Sequence, residues 1–347
     1  MHTEPTLARA AIQDAVRRLE AGGLVAFPTE TVYGLGADAE NPAAVAKIYA
    51  AKGRPSNHPV IVHVAPEADL GYWAREIPPQ AHALIDAFWP GPLTLILKRA
   101  VHIPDTVSGG QDSIGLRCPS HPVAQALLRE FKQGKGGIAA PSANKFGHVS
   151  PTTAQHVREE FAGSTDDLVQ CILDGGQSPV GIESTILDLT RLASHGPVLL
   201  RPGHISASRI AEVIGVTPRM PDAAAPRASG TLDSHYAPST PVALADAERL
   251  KELFHQLLAV GRRVAVMRRQ ISPLTGAAAQ IALPDSPDGF AHELYASLRT
   301  LDAAGADLIL VEAPPGDHEW QGVNDRLRRA AHGSADVVSR LLVPDSR

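Results

Sequence analysis

The segment 27–64 holds side chains that could bind a small, polar, anionic ligand. An apolar stretch ending at Pro28 is followed at once by two threonine hydroxyls, a carboxylate and a phenol. Farther along, Lys52 and Arg54 stand at the break of a predicted helix, and His63 is the one polar residue of an apolar run. A guanidinium offers a forked set of donors to phosphate oxygens, and an ammonium offers a point charge. A solvated helix end, where lysine and arginine are common, would also explain both cations. The amide and imidazole side chains that follow Arg54 favour ligand binding instead.

Cations and small polar residues also follow apolar runs elsewhere in the chain. Arg117 and Arg201 each end such a run, and Ser142 and Asn144 come directly after another. Because strand ends often line binding sites, these positions are candidates for ligand contact. For the serine and asparagine taken alone, a turn held by local backbone bonds is the simpler explanation. Ser150 could bind an anion at a helix start or could be a plain helix cap.

Several kinds of catalytic site are disfavoured by the sequence. It contains no His-Glu-x-x-His, no cysteine pair at zinc spacing and no Gly-x-x-x-x-Gly-Lys-Ser/Thr loop. Ser184 lacks the Gly-x-Ser-x-Gly context of a serine nucleophile. Cys118 and Cys171 have apolar rather than basic neighbours, which argues against a reactive thiolate. We therefore expect no metal site built from side chains, and any Mg²⁺ would be held mainly by the phosphates of a ligand.

The composition is that of an ordinary globular protein, and the length of 347 residues suggests two domains. A formal net charge of −5 gives no overall signal for nucleic acid or for an anionic membrane. No apolar run reaches membrane-spanning length, and the first residues do not have the pattern of a secretory signal. With only two cysteines, both in strand-like contexts, the sequence indicates the reducing cytoplasm.

The elements that must position these residues alternate between helices and strands, but several strands follow one another directly. This pattern predicts a mixed α/β sheet rather than a uniform βαβ repeat for a first domain at 1–216. Five prolines mark a linker at 217–241, whose His235 and Tyr236 make it a candidate lid. Residues 242–347 show a βαβ pattern that predicts a small parallel sheet.

Taken together, the motifs resemble those of the YrdC/Sua5 family. The resemblance covers roughly residues 8–215, and the linker and last domain are similar to the long, two-domain Sua5 form. It rests on the following runs: Phe27-Pro-Thr-Glu-Thr-Val-Tyr-Gly-Leu-Gly36, Ala51-Lys-Gly-Arg-Pro55, Pro141-Ser-Ala-Asn144, Ser150-Pro-Thr152, Glu183-Ser-Thr-Ile186, Leu200-Arg-Pro-Gly203 and His235-Tyr-Ala-Pro238. The fold implied is an open, twisted, mixed YrdC-like sheet with helices and a large positive cavity, plus a smaller Rossmann-like α/β domain.

The resemblance implies an L-threonylcarbamoyl-adenylate synthase, a nucleotidyltransferase. Its substrates would be L-threonine, bicarbonate or CO2, and ATP with Mg²⁺, and pyrophosphate would be released. The adenylate would supply N6-threonylcarbamoyladenosine at position 37 of tRNA. The implied partners are the other proteins of that pathway, with tRNA itself bound weakly and no membrane involved.

The resemblance to the family also implies which residues of this chain form the site, position by position. Lys52 and Arg54 are implied in catalysis. Threonine would contact Thr31, His63, Arg117, Ala140 and Ser184. ATP would contact Lys52, Arg54, His58, Ser142, Asn144, Ser150, Arg201, His235 and Tyr236. The chain departs from the family where Ala228–Ser234 replaces Ser-Pro-Gly-Met and a basic pair, and where Phe146 replaces a small serine.

Two other functions are consistent with parts of the pattern. The first is a module that binds RNA on a concave basic surface without chemistry, which predicts salt-sensitive binding. The low aromatic content of 4% and the net negative charge argue against it. The second is a carbamoyl-transfer domain of the hydrogenase-maturation type, but the zinc-finger cysteines and acylphosphatase region of such chains are missing here.

Overall fold

The computed structural model describes residues 5–163, 169 and 171–343. The chain forms two compact units. The first unit comprises Met1–Phe146 and Ser150–Thr231, and the second comprises Gly147–Val149 and Leu232–Arg347. The predicted linker is therefore divided between the units, with the change from one to the other after Thr231.

The first unit contains eight helices among the described residues. They are α1 (Pro5–Glu20), α2 (Pro42–Lys52), α3 (Leu70–Trp73), α4 (Pro79–Phe88), α5 (Pro122–Glu130), α6 (Ala154–Phe161), α7 (Leu192–His195) and α8 (Ala207–Ile214). Its strands are β1 (Val25–Phe27), β2 (Gly34–Asp38), β3 (Ile61–Val64), β4 (Ala74–Arg75), β5 (Leu93–Arg99), β6 (Ser113–Arg117), β7 (Gly137–Ala139), β8 (Cys171–Ile172), β9 (Thr185–Asp188) and β10 (Val198–Arg201).

Helix α2 shows how local sequence places the first two cations. The Asn41 side chain accepts hydrogen bonds from the first backbone amides of the helix, and Pro42 occupies its first turn. Gly53 ends the helix in the left-handed conformation, at φ 62°, which glycine adopts without steric cost. Lys52 is thus the last helical residue, and Arg54 begins the exit from the helix.

The strands of the first unit form one mixed sheet in the order β10-β9-β5-β6-β3-β7-β2-β1-β8, with β4 at the side of β5. The pairs β9/β5, β6/β3 and β1/β8 are parallel, and the remaining pairs are antiparallel. The prediction of a mixed α/β sheet is confirmed. Neighbouring strands come from distant parts of the chain, so their ends bring distant side chains together.

The two faces of this sheet have different roles. On one face Val62, Leu95 and Leu116 pack with helix residues in the largest apolar cluster, and we call it the helix face. Because side chains alternate along a strand, their neighbours His63, Thr94 and Arg117 lie on the opposite face, here called the site face. At one end of the site face, α1 and α5 cover β1 and β7 with a second apolar cluster.

The second unit is a small parallel α/β domain, as predicted. Its strands are β11 (Val242–Ala245), β12 (Val264–Arg268), β13 (Ala279–Ala282) and β14 (Leu308–Glu312), and their order is β11-β14-β12-β13, all parallel. Its helices are α9 (Ala247–Ala259), α10 (Pro287–Asp302), α11 (Gln321–Ala330) and α12 (Ser334–Leu341). Among the described residues of both units, no helix is long and apolar enough to cross a membrane.

Candidate active site

Lys52 joins the end of α2 to the loop that follows β7. Its Nζ donates hydrogen bonds to the backbone carbonyls of Ser142, at 2.5 Å, and of Asn144. Burial lowers the pKa of this ammonium well below its usual value, and the nearby Arg54 guanidinium lowers it further. These two hydrogen bonds hold the 142–144 loop against the end of α2.

Two further cations converge on one residue of the linker. Arg54 Nη2 donates to the carbonyl of Pro59, at 2.8 Å, and to the hydroxyl of Ser229, at 3.3 Å. Arg201 Nη1 donates to the carbonyl of the same serine, at 2.9 Å. Both guanidinium groups are almost fully buried, with residue exposures of 7% and 3%. Ser229 thus places oxygen atoms against both cations, in the manner expected of an anionic ligand.

Phe146, the departure from the family noted above, lies beside this group. The guanidinium of Arg54 is 5.8 Å from its ring centroid, and the His58 ring meets it edge-on at 5.5 Å. Burial and the Arg54 charge lower the pKa of His58. The phenyl ring therefore helps to orient Arg54 and His58.

Ser184 links the cation group to the threonine candidates. Its hydroxyl accepts a hydrogen bond from Arg201 Nη2, at 3.1 Å, and its carbonyl accepts one from Arg201 Nε, at 3.0 Å. The same hydroxyl lies 2.8 Å from the hydroxyl of Thr94, a fully buried residue of β5. A group bound at Ser184 is consequently next to a cation that could hold phosphate.

His63 and Arg117 are register partners on the adjacent strands β3 and β6. Burial, together with the Arg117 charge, lowers the pKa of His63 to about 3, so its imidazole is neutral at physiological pH. Its Nδ1 is buried and has no hydrogen-bond partner among the described residues. Arg117 Nη2 donates to the carboxylate of Glu30 at 2.6 Å, and both side chains are buried.

Three other predicted residues have partners within the first unit. The hydroxyl of Thr31 lies 2.9 Å from that of Thr29. The amide of Ala140 donates to the carbonyl of Ile61 at 2.9 Å, so this hydrogen is already used. The hydroxyl of Ser150 donates to the carboxylate of Glu183 at 2.5 Å.

His235 and Tyr236 belong to the second unit. The Tyr236 ring packs 5.7 Å from that of Tyr295 and 5.4 Å from the guanidinium of Arg326, and its own φ is positive, at 60°. The closure of His235 and Tyr236 over a bound nucleotide remains a prediction.

The sequence analysis named no contact for three residues of the arrangement: Glu30, Thr94 and Ser229. A signal for Thr94 was present, because it is a polar residue between two leucines of an apolar strand, as His63 is between two valines. The carboxylate of Glu30 could be noticed, but no pattern indicated its partner 87 positions away.

The site defined by these residues fits an anion with several oxygens beside a small polar molecule. Lys52, Arg54 and Arg201 are basic side chains that are each more than nine-tenths buried, and buried basic groups are uncommon unless they are paired or a site uses them. The hydroxyls of Ser229 and Ser184 accept hydrogen bonds from the two guanidinium groups. This chemistry defines a class of enzyme that aligns substrates and neutralises phosphate charge.

Comparison with known proteins gives the family. The Sua5/YciO/YrdC model, described as "Telomere recombination", matches residues 17–203, and a model described as "Threonylcarbamoyl-AMP synthase, C-terminal domain" matches residues 205–332. A threonylcarbamoyl-AMP synthase of Pyrococcus abyssi is 39% identical, covering 92% of this chain and 94% of the relative. One from Bacillus subtilis is also 39% identical, with 93% of each chain covered.

A solved structure agrees with the sequence relatives. The crystal structure of P. abyssi Sua5 complexed with L-threonine matches with a TM-score of 0.83 at 38% identity, covering 92% of this chain and 94% of the other. The chain belongs to the threonylcarbamoyl-AMP synthase family, in the two-domain Sua5 form.

Proposed function

We propose that this chain joins L-threonine, bicarbonate or CO2, and ATP into threonylcarbamoyl-adenylate, with release of pyrophosphate. The observation that carries the proposal is the pair of hydrogen bonds between Arg201 and Ser184, at 3.0 and 3.1 Å. They place a cation suited to phosphate against a hydroxyl suited to threonine. A reaction that joins two substrates requires this proximity.

The proposed reaction has two steps, and neither needs an enzyme nucleophile. The threonine nitrogen, as the free amine, bonds to the carbon of CO2 and loses a proton, which gives an N-carboxylate. A carboxylate oxygen then bonds to the α-phosphorus of ATP, and the bond from that phosphorus to pyrophosphate breaks. Lys52, Arg54 and Arg201 would neutralise the charge that develops on the phosphates.

The triphosphate would take over the donors that now bind Ser229. Both Arg54 and Arg201 donate to this residue, through its hydroxyl and its carbonyl. Ala228, its neighbour, packs with Ile61, Ile96 and other apolar residues of the first unit. We propose that this part of the linker withdraws when ATP binds, and that His235 and Tyr236 act in the same lid.

Mg²⁺ would accompany ATP rather than occupy a site of the protein. Among the described residues, no group of three or more histidine, cysteine or acidic side chains could hold a metal ion. The cation-rich site fits a metal carried by phosphate oxygens, which would reduce the charge of the triphosphate.

The proposed setting is the cytoplasm, where other proteins of the tRNA-modification pathway would take up the adenylate and tRNA would bind weakly. The alternative of an RNA-binding module without chemistry is not favoured, because relatives that share 39% identity with nearly the whole chain are named synthases.

A direct assay incubates the full chain with ATP, Mg²⁺, bicarbonate and L-threonine and measures pyrophosphate. We expect release that depends on both threonine and bicarbonate. Equal release without threonine would show that the assignment is wrong. Salt-sensitive RNA binding without pyrophosphate release would favour the RNA-binding module instead.

A further inference from the structure

We propose that Glu30 is a positioning residue, which holds the guanidinium of Arg117 so that Nη1 meets the carboxylate of the bound amino acid. The inference rests on the proposed function, in which Arg117 contacts the threonine carboxylate.

The carboxylate of Glu30 is fixed at both oxygens. Oε1 accepts from Arg117 Nη2 at 2.6 Å, and Oε2 accepts from the backbone amide of Ser120 at 3.0 Å. The carbonyl of Glu30 accepts from the amide of Val180 at 2.7 Å, in the loop that leads to Ser184. One residue therefore connects the end of β6, the turn after it and the loop that carries a second threonine candidate.

These contacts use one edge of the Arg117 guanidinium. Nε donates to the carbonyl of Gly91, at 3.3 Å, and Nη2 donates to Glu30. Within the part of the chain that the structure describes, Nη1 makes no hydrogen bond to protein. Nη1 is not one of the fully buried polar atoms that lack a partner, so it keeps access to solvent and to a ligand. An amino-acid carboxylate matches its donors in both charge and geometry.

The same contacts decide against a direct role for Glu30. Each oxygen of Glu30 already accepts one hydrogen bond, and the side chain is only 4% exposed, so little of the carboxylate is accessible to the ammonium of the amino acid. The neighbouring His63 is neutral, so the formal charges of Glu30, Arg117 and His63 sum to zero. Glu30 therefore acts through Arg117, by fixing its orientation and by offsetting its charge when no substrate is bound.

The test measures binding to the full chain by titration calorimetry, with L-threonine and with L-threoninamide, which lacks the carboxylate charge. We expect E30Q to weaken threonine binding by about tenfold, the loss of one charge-assisted bond. Binding of threoninamide should change much less, so discrimination between the two ligands falls. R117Q should behave in the same way, and the double variant E30Q/R117Q should bind threonine no more weakly than R117Q alone.

Two further variants complete the design. E67Q removes the carboxylate of a more exposed ion pair, Glu67–Arg129, and should leave both affinities unchanged. E30D keeps the negative charge and should recover part of the threonine affinity; if E30Q does not fold, E30D carries the test, with a smaller loss of the same pattern.

The possible failures are distinguishable. If E30Q lost the same affinity for threonine and for threoninamide, Glu30 would have only a structural role. The same conclusion would follow if the double variant bound threonine more weakly than R117Q. Normal threonine binding by R117Q would instead remove Arg117 from the proposed function, and the role of Glu30 with it.

Discussion

Replacing Arg54 by alanine separates the catalytic use of this side chain from its structural use. The guanidinium makes a hydrogen bond to the carbonyl of Pro59, at 2.8 Å, and lies 5.8 Å from the Phe146 ring. A bond from a charged donor contributes about 1.5–3 kcal/mol, and a cation–π contact about 0.5–1 kcal/mol. The variant should therefore lose about 2–4 kcal/mol of unfolding free energy and still fold.

The expected effect on the reaction is larger. A forked guanidinium can donate two bonds to phosphate oxygens, which together contribute about 3–6 kcal/mol in the transition state. At about 1.4 kcal/mol per factor of ten, kcat/KM for ATP should fall by roughly 10²–10⁴. The kcat/KM of Arg54→Lys should lie between those of Arg54→Ala and the unsubstituted chain, because lysine keeps the charge but cannot donate two parallel hydrogen bonds.

The assay is threonine-dependent release of pyrophosphate over a series of ATP concentrations, with thermal unfolding measured on the same samples. Arg99→Ala is a matched control, because Arg99 is a half-buried arginine that also donates to backbone carbonyls, those of Gln111 and Ala100 among them. It should lose stability without a comparable loss of turnover. A value of kcat/KM for Arg54→Ala within threefold of the unsubstituted chain would refute the reasoning.

Three more outcomes follow from buried groups. Thr94→Val removes one hydrogen bond to Ser184, so KM for threonine should rise by roughly threefold to tenfold while KM for ATP is unchanged; a larger effect on ATP would contradict this. His63 has its folded-state pKa near 3, below the unfolded value of 6.5, so its stabilising effect is complete above pH 6.5 and is lost as pH falls toward 3. Between pH 7 and pH 5 this costs about 2 kcal/mol of unfolding free energy, a slope that denaturant titrations of His63→Gln should lack. Burial raises the pKa of the Cys118 thiol to about 12, so iodoacetamide at pH 8 should modify it only after unfolding; rapid labelling of the folded chain would disprove this.

Local chemistry made much of the fold predictable. The asparagine, proline and glycine around α2 specify where that helix begins and ends, and the structure ends it at Lys52, where the sequence indicated a break. Strands that follow each other without a helix indicated a mixed sheet, and the βαβ pattern at the end of the chain indicated a parallel one. These properties depend on neighbours a few residues apart, which a sequence displays directly.

The candidate site was only partly predictable. The residue types of Lys52, Arg54 and Arg201 already indicated an anion, but their common partner Ser229 lies in a segment that the composition described only as a linker. Nothing in the sequence around Lys52 indicates that its side chain binds two carbonyls 90 and 92 positions away. Such pairings depend on which strands become neighbours, and the order of strands is not written in any local pattern.

By itself the sequence determined the elements, the chemistry of the side chains and, through its motifs, the family. Only the tertiary structure decided the partner of each charge: Glu30 for Arg117, and Ser184 for Arg201. The physical reason is that local backbone preferences act over only a few residues. A buried charge, in contrast, is stabilised by whichever distant groups the folded sheet places beside it.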